Sequence, residues 1–472
     1  MNDRRAVDVV IIGSGFAGIV AANRLADLGI DLLLVDENIH LGGQLLRSIP
    51  RQLGSEGRPH RDHVKRIGFR FIDSLKQRRV RVMNRTRVLG VFPGHELLLE
   101  EDEQRVFTVT PKIILLATGA RERFLPFKGW TLPGVISTGA VQVLIKSCGV
   151  LPAREGVIAG SGLFLFSVAY EMLRHGARVK AVLEQTPMLS KAMLLGQVFH
   201  QWPKFAEGAR FLSRIYLSGV PVRYTSQVIE ARGNGRLQEV VIGRVDSRGN
   251  PIAGKEQVIP SGLLAVGNGF AANIELGIAA GCDSEFDKTK GGWVLRVGDD
   301  LETSQPGIFA AGEVTGIAGA LKSITEGEIA ALAIGTRLGK ATAATYSRQM
   351  QRLTRQRAHH LRFGTYFNTL YGIPRAAYAA IPDETVICRC EDVTMGDIRQ
   401  AVAAGYDRPE FLKVAQRVAM GDCQGRTCAP IVYDVLSELT GRPVHSFKPF
   451  SIRPPVKPAT TGSLATWQKF SD

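Results

Sequence analysis

The sequence lacks any long apolar run and any stretch of strongly biased composition. It contains 472 residues, of which 45% are hydrophobic, with 51 glycines and 22 prolines, and these proportions are ordinary for a globular protein. No apolar run approaches the roughly 18 residues that a membrane-spanning helix needs. The buried-strand pattern that begins at Val7 leaves no room for a signal peptide before it. We therefore expect a cytoplasmic protein.

The sequence also lacks an arrangement of serine, histidine or cysteine side chains suited to nucleophilic catalysis. The formal net charge of +15 could indicate a nucleic-acid partner, but the basic residues are scattered, and we expect no nucleic-acid binding. The densest basic group has nearly helical spacing, which predicts a solvated helix face or a docking surface for an acidic partner. Its members are Arg348, Arg352, Arg355, Arg357 and Arg362. We therefore expect the functional residues to be ligands of bound cofactors.

A strand, a glycine turn, a helix and a second strand follow one another at the start of the chain. Gly13, Gly15 and Gly18 come directly after a buried strand, with the spacing of a dinucleotide-binding turn. In such a turn the helix N-terminus faces the pyrophosphate. Asp36 ends the second strand, where it can accept hydrogen bonds from an adenosine ribose, and Glu37 beside it can share this role. The pattern predicts a dinucleotide site.

Three later segments favour FAD over a nicotinamide at this site. They resemble the further flavin contacts of two-domain flavoproteins, although each could also be an ordinary turn at the end of a strand. In that superfamily an acidic residue of the last segment meets the ribityl chain, and here it is Glu313 in place of the commoner aspartate. The segments contain Gly43 and Gln44, then Ala117, Thr118 and Gly119, and finally Gly312 and Glu313.

A second strand, glycine turn and helix follow Glu155, but this turn is altered. Gly160 and Gly162 are present, whereas Leu165 stands where the third glycine belongs. A side chain there should push the helix away from the strand and reshape the pyrophosphate seat. Glu184 keeps a ribose-like position and favours NADH over NADPH if a nicotinamide binds. The alternatives are therefore a retained scaffold or a working nicotinamide site.

Four of the six cysteines form a group near the C-terminus, and in a reducing compartment such a group favours metal binding over disulfides. Four soft thiolates are the ligands that a [2Fe–2S] cluster requires. Zinc is the alternative, but the spacing differs from the CxxC pattern typical of zinc knuckles. The predicted metal ligands are Cys388, Cys390, Cys423 and Cys428.

These patterns predict an α/β protein with several domains, as the chain length also suggests. It should contain two dinucleotide-binding, Rossmann-like domains of the FAD/NAD(P)-disulfide-reductase type and a small C-terminal [2Fe–2S] domain. The predicted boundaries are 1–125 with 295–340 for a discontinuous FAD-binding domain, 126–294 for the second dinucleotide-binding domain, 341–382 for a helical linker, 383–450 for the cysteine domain and 451–472 for an extended tail.

The motifs together resemble the α subunits of heteromeric FAD-dependent amino-acid dehydrogenases. That family includes the A subunit of opine oxidase, the α subunits of hydroxyproline and proline dehydrogenases, and the middle subunit of hydrogen cyanide synthase. The resemblance spans nearly the whole chain. It rests on the two glycine turns, the loop 311–316, a cysteine module of the bacterioferritin-associated-ferredoxin type, and the tail Arg453-Pro454-Pro455-Val456.

The resemblance implies a partner β subunit whose own FAD oxidises the substrate, while this chain conducts electrons. It also implies that an FMN can lie at the subunit interface, that a small third subunit can be present, and that some relatives hold ATP or NAD at the first site. The implied reaction oxidises an amino-acid-derived amine, such as an opine, proline, hydroxyproline or glycine, to an imine. Electrons would then pass to the quinone pool, which allows peripheral contact with a membrane.

Two other functions remain open at this point. A self-contained NAD(P)H-dependent FAD/[2Fe–2S] reductase would need a working second glycine turn, and Leu165 argues against one. A cluster-carrying scaffold or regulator would need an empty flavin site.

Overall fold

The structure is a computed structural model that describes residues 7–46, 63–78, 80–187, 202–246 and 249–467. The chain divides into two compact units. The first contains Met1–Arg121, Ala272–Thr365 and Ser451–Asp472, and the second contains Glu122–Ala271 and Tyr366–Phe450. Within the described residues no helix combines the length and the apolar character that crossing a membrane requires.

The strands are numbered in chain order. They are β1 (Val9–Ile12), β2 (Leu32–Val35), β3 (Arg81–Met83), β4 (Thr86–Phe92), β5 (Glu96–Glu101), β6 (Arg105–Val109), β7 (Ile113–Leu116), β8 (Ala120–Glu122), β9 (Val135–Ser137), β10 (Glu155–Gly160), β11 (Arg178–Glu184), β12 (Val222–Tyr224), β13 (Ser226–Arg232), β14 (Glu239–Arg244), β15 (Gln257–Pro260), β16 (Leu264–Gly267), β17 (Phe270–Ala272), β18 (Ser284–Asp287), β19 (Gly292–Leu295), β20 (Ile308–Ala310), β21 (Val386–Cys388) and β22 (Val393–Thr394).

The helices are numbered in the same way. They are α1 (Phe16–Asp27), α2 (Gly43–Leu46), α3 (His63–Gln77), α4 (Thr138–Val143), α5 (Phe164–Arg174), α6 (Trp202–Leu217), α7 (Glu275–Ala279), α8 (Ala320–Arg337), α9 (Ala343–Leu370), α10 (Arg375–Ala379), α11 (Met395–Ala403), α12 (Pro409–Gln416), α13 (Ala429–Thr440) and α14 (Thr461–Ala465).

The first unit is built on a five-stranded parallel sheet in the order β20-β7-β1-β2-β3. The central strand β1 is entirely apolar and buried, as a parallel strand covered on both faces requires. Ile12 lies opposite Val35 of β2 and Leu116 of β7. The loops after these strands, and after Ala310 of β20, which lies opposite Leu116, therefore meet at the carboxyl edge of the sheet.

Two helices of the first unit pack together against this sheet. A Cβ at Gly327 of α8 would lie 2.5 Å from the backbone oxygen of Ala17 in α1, so only glycine allows this approach. Ile19, Val20 and Ile329 are fully buried in the resulting apolar core. The close packing holds α1, whose first turn follows the glycine turn, in a fixed position.

A three-stranded antiparallel sheet, β4-β5-β6, also belongs to the first unit. The C-terminal segment, residues 451–467, lies on this sheet. The Val456 amide donates to the Leu89 backbone oxygen at 2.7 Å. The segment that the sequence predicts to be extended contains the short helix α14. Thr466 accepts a hydrogen bond from the Val106 amide at 3.0 Å, which fastens the segment beyond that helix.

The second unit contains a second five-stranded parallel sheet, in the order β12-β11-β10-β16-β9, and a three-stranded antiparallel sheet, β13-β14-β15. Helix α5 buries Leu165, Val168 and Met172 in the core beside the parallel sheet. The glycine turn between β10 and α5 thus has the same topological place as the turn between β1 and α1 in the first unit.

The cysteine module lies in the second unit and consists of the hairpin β21-β22 and helices α11 to α13. Thr394 and Asp397 form a capping box at the start of α11, which fixes the helix relative to the hairpin. The Trp130 indole donates to the Val386 backbone oxygen at 2.6 Å, and the Arg389 guanidinium lies 5.3 Å from the Trp130 ring centroid. The module is therefore packed against the dinucleotide-binding fold of its own unit.

The basic group predicted along one helix lies on α9, but its members have different environments. Arg348, Arg355 and Arg362 are exposed, whereas the Arg357 side chain is only 16% exposed and pairs with the fully buried Glu326 at 2.8 Å. The prediction that Arg357 belongs to the solvated face is therefore wrong. Nearly helical spacing alone does not reveal a buried acid on a helix distant in sequence.

Candidate functional site

The first glycine turn has the geometry that a dinucleotide requires. A Cβ at Gly18 would lie 1.9 Å from the Gly13 backbone oxygen, and one at Gly13 would lie 2.3 Å from the Ala117 backbone oxygen. These two glycines therefore allow the helix, the turn and the neighbouring strand to pack closely. Gly15 is different, because no atom lies within 4 Å of a Cβ placed there. The turn is thus open at the N-terminus of α1, where a pyrophosphate would lie.

The other predicted flavin segments come together around this turn. A Cβ at Gly43 would lie 2.9 Å from the Gly15 Cα, and one at Gly312 would lie 3.0 Å from the Ala17 Cβ. Gln44 follows Gly43 in α2 and is exposed. Segments that are distant in sequence therefore line one edge of the first sheet, as a single cofactor site requires.

Asp36 at the end of β2 is buried and hydrogen-bonded within the protein. One carboxylate oxygen accepts from the Ser14 amide at 2.7 Å and from the Ser14 hydroxyl at 2.6 Å. The other accepts from the Asn38 amide at 2.8 Å and from its side chain at 2.7 Å. Asp36 thus ties the glycine turn to the loop after β2. Glu37 is 47% exposed and pairs with Lys457 of the C-terminal segment.

The loop after β7 is held by Asn273. The Thr118 hydroxyl donates to the Asn273 backbone oxygen at 2.7 Å, and the Asn273 side chain returns a bond to the Thr118 backbone oxygen at 2.8 Å. Gly119 has a φ of 72° and accepts from the Asn273 amide through its backbone oxygen at 3.0 Å. These bonds fix the second chain segment that borders the open turn.

The loop after β20 is supported by a buried ion pair. Lys322 and Glu326 of α8 are fully buried and 2.7 Å apart. Lys322 donates to the Gly312 backbone oxygen at 2.6 Å, and Glu326 accepts from the Gly312 amide at 2.8 Å. Glu313 accepts from the Gly319 amide at 2.8 Å, and burial raises the pKa of its carboxyl group while Lys322 opposes the rise. Through this hydrogen bond Glu313 stabilises its own loop.

The second glycine turn differs from the first in shape. Helix α5 begins at Phe164, two residues after Gly162, whereas α1 begins directly after Gly15. Leu165 fills the space at the third position and is 1% exposed. Glu184 is fully buried and accepts from the Gly162 amide at 3.1 Å and from the Thr186 amide at 3.0 Å.

Two aromatic residues of the same unit, Phe367 and Tyr371, lie beside this second turn. The Ser161 hydroxyl donates to the Tyr371 backbone oxygen at 3.2 Å. A Cβ at Gly162 would lie 3.6 Å from Phe367 Cζ, so the Phe367 ring lies beside the glycine. Tyr371 is 4% exposed and its ring centroid is 4.7 Å from that of Phe367. Two aromatic residues therefore lie beside the turn at which a second pyrophosphate would bind.

The four clustered cysteines lie close together in the second unit. Cys388 ends β21 and Cys428 directly precedes α13, and both are buried. Cys423 is partly exposed and Cys390 is exposed. Cys428 interacts through its side chain with Cys388 and with Cys423, and Cys423 also interacts with Cys390. The fold thus brings together two sequence pairs that are separated by helices α11 and α12.

Backbone amides bond to the sulfurs of Cys388 and Cys423 and favour the thiolate form of these two residues, whereas the pKa values of Cys390 and Cys428 are raised. The pKa of Cys388 is lowered to about 6, chiefly by a hydrogen bond from Cys428 and further by amides that include that of Ala419. The pKa of Cys423 is also lowered, first by Cys428 and then by the Thr427 and Gly425 amides. Thiolates with amide donors are a donor set that fits an iron–sulfur cluster. Across the described ranges, no three His, Cys, Asp or Glu side chains converge as ligands of one metal ion.

The loop that carries Cys423 and Cys428 requires small residues. A Cβ at Gly421 would lie 2.3 Å from the Cys390 Cβ, and one at Gly425 would lie 2.9 Å from the Ala419 Cβ. Gln424 and Gly425 both have positive φ values, 49° and 81°. Within this turn the Gly425 and Thr427 amides are directed at the Cys423 sulfur.

Several residues of the first site were not predicted from the sequence. Ser14 and Asn38 bind Asp36, Lys322 and Glu326 support the Gly312 loop, and Lys457 reaches the end of β2. Ser14 lies inside the glycine motif and could have been named from its position. The others come from loops or helices whose pairing is decided only by the fold.

The comparison with protein families identifies two regions of the chain. Residues 7–344 match the pyridine nucleotide-disulphide oxidoreductase family. Residues 383–467 match the sarcosine oxidase A3 domain, which here includes all four clustered cysteines. The first match covers more than half of the chain and agrees with the two parallel sheets and their glycine turns.

Curated relatives match over nearly the full length of the chain. The HcnB subunit of hydrogen cyanide synthase from Pseudomonas protegens is 34% identical over 93% of this chain and 93% of its own. The A subunit of opine oxidase from Rhizobium meliloti is 30% identical over 98% of this chain and 88% of its own. The alpha subunit of sarcosine oxidase from Corynebacterium is 23% identical, and the match covers 42% of that longer protein.

Solved structures show the same fold. L-proline dehydrogenase from P. horikoshii superposes with a TM-score of 0.70 at 20% identity, over 97% of this chain and 79% of that chain. Thioredoxin reductase from T. acidophilum superposes with a TM-score of 0.52 over 71% of this chain and 99% of its own. These similarities confirm the predicted FAD/NAD-binding α/β fold. The chain therefore belongs to the pyridine nucleotide-disulphide oxidoreductase family of flavin oxidoreductases, and within it to the group that contains HcnB and the opine oxidase relative.

Proposed function

We propose that this chain is the electron-transfer subunit of a heteromeric dehydrogenase that oxidises an amino-acid-derived amine to an imine. FAD would occupy the first glycine turn, and a [2Fe–2S] cluster would be held by Cys388, Cys390, Cys423 and Cys428. The substrate would bind on a partner β subunit that carries its own FAD. Opines, proline, hydroxyproline and glycine are the substrates to test.

The observation that carries this proposal is the grouping of four cysteines, with amides directed at two of the sulfurs, in a chain whose full-length relatives are enzyme subunits. Four thiolates suit soft metals, and hydrogen bonds to the sulfurs adjust the potential of an iron–sulfur cluster. The exposed Cys390 would lie on the outer side of such a cluster, where electrons can enter or leave.

The geometry of the first turn supports the flavin assignment. Gly15 is open, Gly43 and Gly312 border it, and the Asn273 and Lys322 bonds fix the two neighbouring loops. These residues would bind and orient a dinucleotide without a large rearrangement of the turn. A bound flavin accepts two electrons and can release them one at a time to a one-electron centre.

The geometry of the second turn favours an electron-transfer role for this chain and argues against a self-contained NAD(P)H reductase. Ser161 bonds to Tyr371, Phe367 lies beside Gly162, and Glu184 accepts from two backbone amides. A nicotinamide dinucleotide would have to displace these contacts. Electrons would therefore come from the partner, where amine oxidation releases two electrons and two protons.

The decisive experiment is an anaerobic visible and EPR spectrum of the purified chain, recorded before and after the addition of NADH. We expect flavin and [2Fe–2S] signals that dithionite reduces and that NADH leaves oxidised. Rapid bleaching of the flavin by NADH would instead support the self-contained reductase.

Metal analysis of the same sample separates the two cluster assignments. About two irons per chain with labile sulfide supports [2Fe–2S], whereas about one zinc without a visible cluster spectrum would contradict it. A chain that holds the cluster but no flavin after gentle purification and incubation with FAD would act as a cluster scaffold.

A further inference from the structure

The C-terminal segment brings a lysine to the place where the adenosine of a bound dinucleotide would lie. Lys457 pairs with Glu37, which directly follows Asp36 at the end of β2. In dinucleotide-binding folds an acid at this position faces the adenosine ribose. The Lys457 side chain is 31% exposed and that of Glu37 is 47% exposed, so both groups are accessible to a ligand.

Asp36 is already occupied, and this changes which residues can meet the ribose. Its two oxygens together accept four hydrogen bonds, from the amides and side chains of Ser14 and Asn38. A carboxylate offers about four acceptor positions in all. A ribose hydroxyl would have to displace one of these bonds. Glu37 follows Asp36 directly, and Lys457 pairs with it.

The segment that carries Lys457 is held firmly by the β4-β5-β6 sheet. Before Lys457, Pro454 packs on Gly90, where an added Cβ would lie 2.8 Å from the proline Cβ. Val456 is 1% exposed and its amide bonds to the Leu89 backbone oxygen at 2.7 Å.

After Lys457, the segment is fastened to a buried acid. Glu100 is fully buried and accepts from the Thr460 amide at 3.3 Å and from the Ser463 hydroxyl. Arg87 pairs with the same carboxylate at 3.4 Å. Lys457 is therefore anchored on both sides and does not belong to a free tail.

We infer that Glu37 and Lys457 form a clamp for the adenosine ribose of the bound nucleotide, an inference that rests on the proposed dinucleotide at the first turn. Each hydroxyl of a ribose diol both donates and accepts hydrogen bonds. The Glu37 carboxylate accepts from one hydroxyl, and the Lys457 ammonium donates to the other. The C-terminal segment thereby becomes part of the nucleotide site.

The ion pair between Glu37 and Lys457 does not prevent a ribose from binding between them. A partly exposed ion pair is only weakly stabilising, so inserting a diol between its two members costs little. Burial lowers the pKa of Lys457, and the nearby Asp36 charge opposes that change. Two carboxylates face one ammonium here, which disfavours a ribose that carries a 2′-phosphate.

The test measures the binding of FAD, ADP and 2′,5′-ADP to the full chain after its flavin has been released. Lys457→Met keeps the apolar stem and removes the charge. We expect it to weaken ADP and FAD binding about tenfold, since it removes a charge-assisted hydrogen bond. The unsubstituted chain should bind ADP more tightly than 2′,5′-ADP. Hydrogen exchange at residues 451–467 should slow when ADP binds.

Lys112→Met is the matched control, because Lys112 pairs with Asp8 at 2.8 Å at the opposite, amino edge of the same sheet. It should bind ADP as the unsubstituted chain does, and the melting temperatures of both variants show whether the fold is intact. If Lys457→Met binds ADP normally, or if both variants weaken binding equally, the clamp is refuted while the flavin site stands. If the unsubstituted chain binds neither FAD nor ADP, both proposals fall.

Discussion

At the scale of single residues, the most consequential group is a buried set of three charges in the first unit. Lys322 and Glu326 on α8 are fully buried, and Arg357 on α9 pairs with Glu326. Lys322 also donates to the backbone oxygens of Gly312 and Gly316. These charges hold the loop that borders the open glycine turn. Removing Glu326 would leave Lys322 buried without its direct ion-pair partner.

We expect Glu326→Gln to lower the free energy of unfolding by about 3 kcal/mol, because the buried Lys322 would lose the larger of its two counter-charges and keep only Glu313. Glu328→Gln, two residues away on the same helix, is the matched control, since Glu328 pairs with the exposed Arg24 at 2.9 Å. Glu328→Gln should lower the free energy of unfolding by about 1 kcal/mol or less. Urea denaturation of both variants gives the comparison. Equal destabilisation would contradict the central role of Glu326.

The same carboxylate predicts a pH dependence of stability. Burial alone would raise the pKa of Glu326, but the charges of Lys322 and Arg357 outweigh burial and lower it. A folded-state pKa below the unfolded value, which is about 4.3, means that the stabilisation is present above that value. It is lost as the pH falls through the folded-state pKa. We therefore expect the stability difference between the natural chain and Glu326→Gln to shrink below about pH 4.

Circular dichroism during urea titrations at pH 7, 5 and 3.5 measures this difference. A difference that stays constant across the series would mean that Glu326 does not titrate with unfolding. Glu328→Gln again serves as the control, because its partner Arg24 is 53% exposed.

At the scale of elements, the two glycine turns show how one pattern leads to two outcomes. Gly18 lets α1 begin directly after the first turn, whereas Leu165 fills the corresponding space in the second turn. The prediction that a side chain there alters the pyrophosphate seat agrees with the later start of α5. The position of Phe367 and Tyr371 beside the second turn carried no signal in the sequence, because these residues lie about 200 positions further along the chain.

The first turn allows binding and folding to be separated by two substitutions. Gly15→Ala adds a methyl group into open space, so stability should change by about 0.5 kcal/mol or less. Flavin content should nevertheless fall sharply, because the methyl group points to where the pyrophosphate lies. Gly18→Ala should destabilise the fold by about 2 kcal/mol or more, since its Cβ would lie 1.9 Å from the Gly13 oxygen.

Flavin-to-protein ratios and melting temperatures of the two variants test this separation. Normal flavin content in Gly15→Ala would argue against a dinucleotide at the first turn. An unchanged melting temperature in Gly18→Ala would mean that the helix and the turn pack less closely than the structure shows.

The cysteine loop is the second element with a direct test. We expect Cys423→Ser to remove most of the iron and the visible cluster absorption, because a hydroxyl is a poor replacement for a thiolate ligand. Cys148→Ser is the matched control in the same unit, since Cys148 is exposed and stands apart from the group in sequence. Iron analysis per chain provides the measurement. Equal iron content in both variants would exclude Cys423 as a ligand.

At the scale of the whole molecule, the relatives are subunits, which indicates that this chain works with a partner. We expect a tagged chain isolated from its native host to retain a second, flavin-containing polypeptide in a fixed ratio. Amine-dependent dye reduction should accompany the complex and be absent from the isolated chain. Amine oxidation by the chain alone would place the substrate site on this polypeptide.

The sequence by itself determined the fold class, the family and the candidate cofactor motifs. Local patterns were sufficient because strands such as β1 are continuously apolar and because dinucleotide turns need glycines at fixed spacing. The spacing of the cysteines likewise marked them as candidate ligands, because soft metals are bound by groups of thiolates.

The tertiary structure alone decided which distant residues support or close these sites. Asp36 is turned inwards by Ser14 and Asn38, Arg357 meets a buried acid, and Lys457 reaches the end of β2. The physical reason is that a charged side chain acts through its partners and its burial. The partners and the burial both depend on how separate elements pack, and the spacing of residues along the chain does not predict either of them.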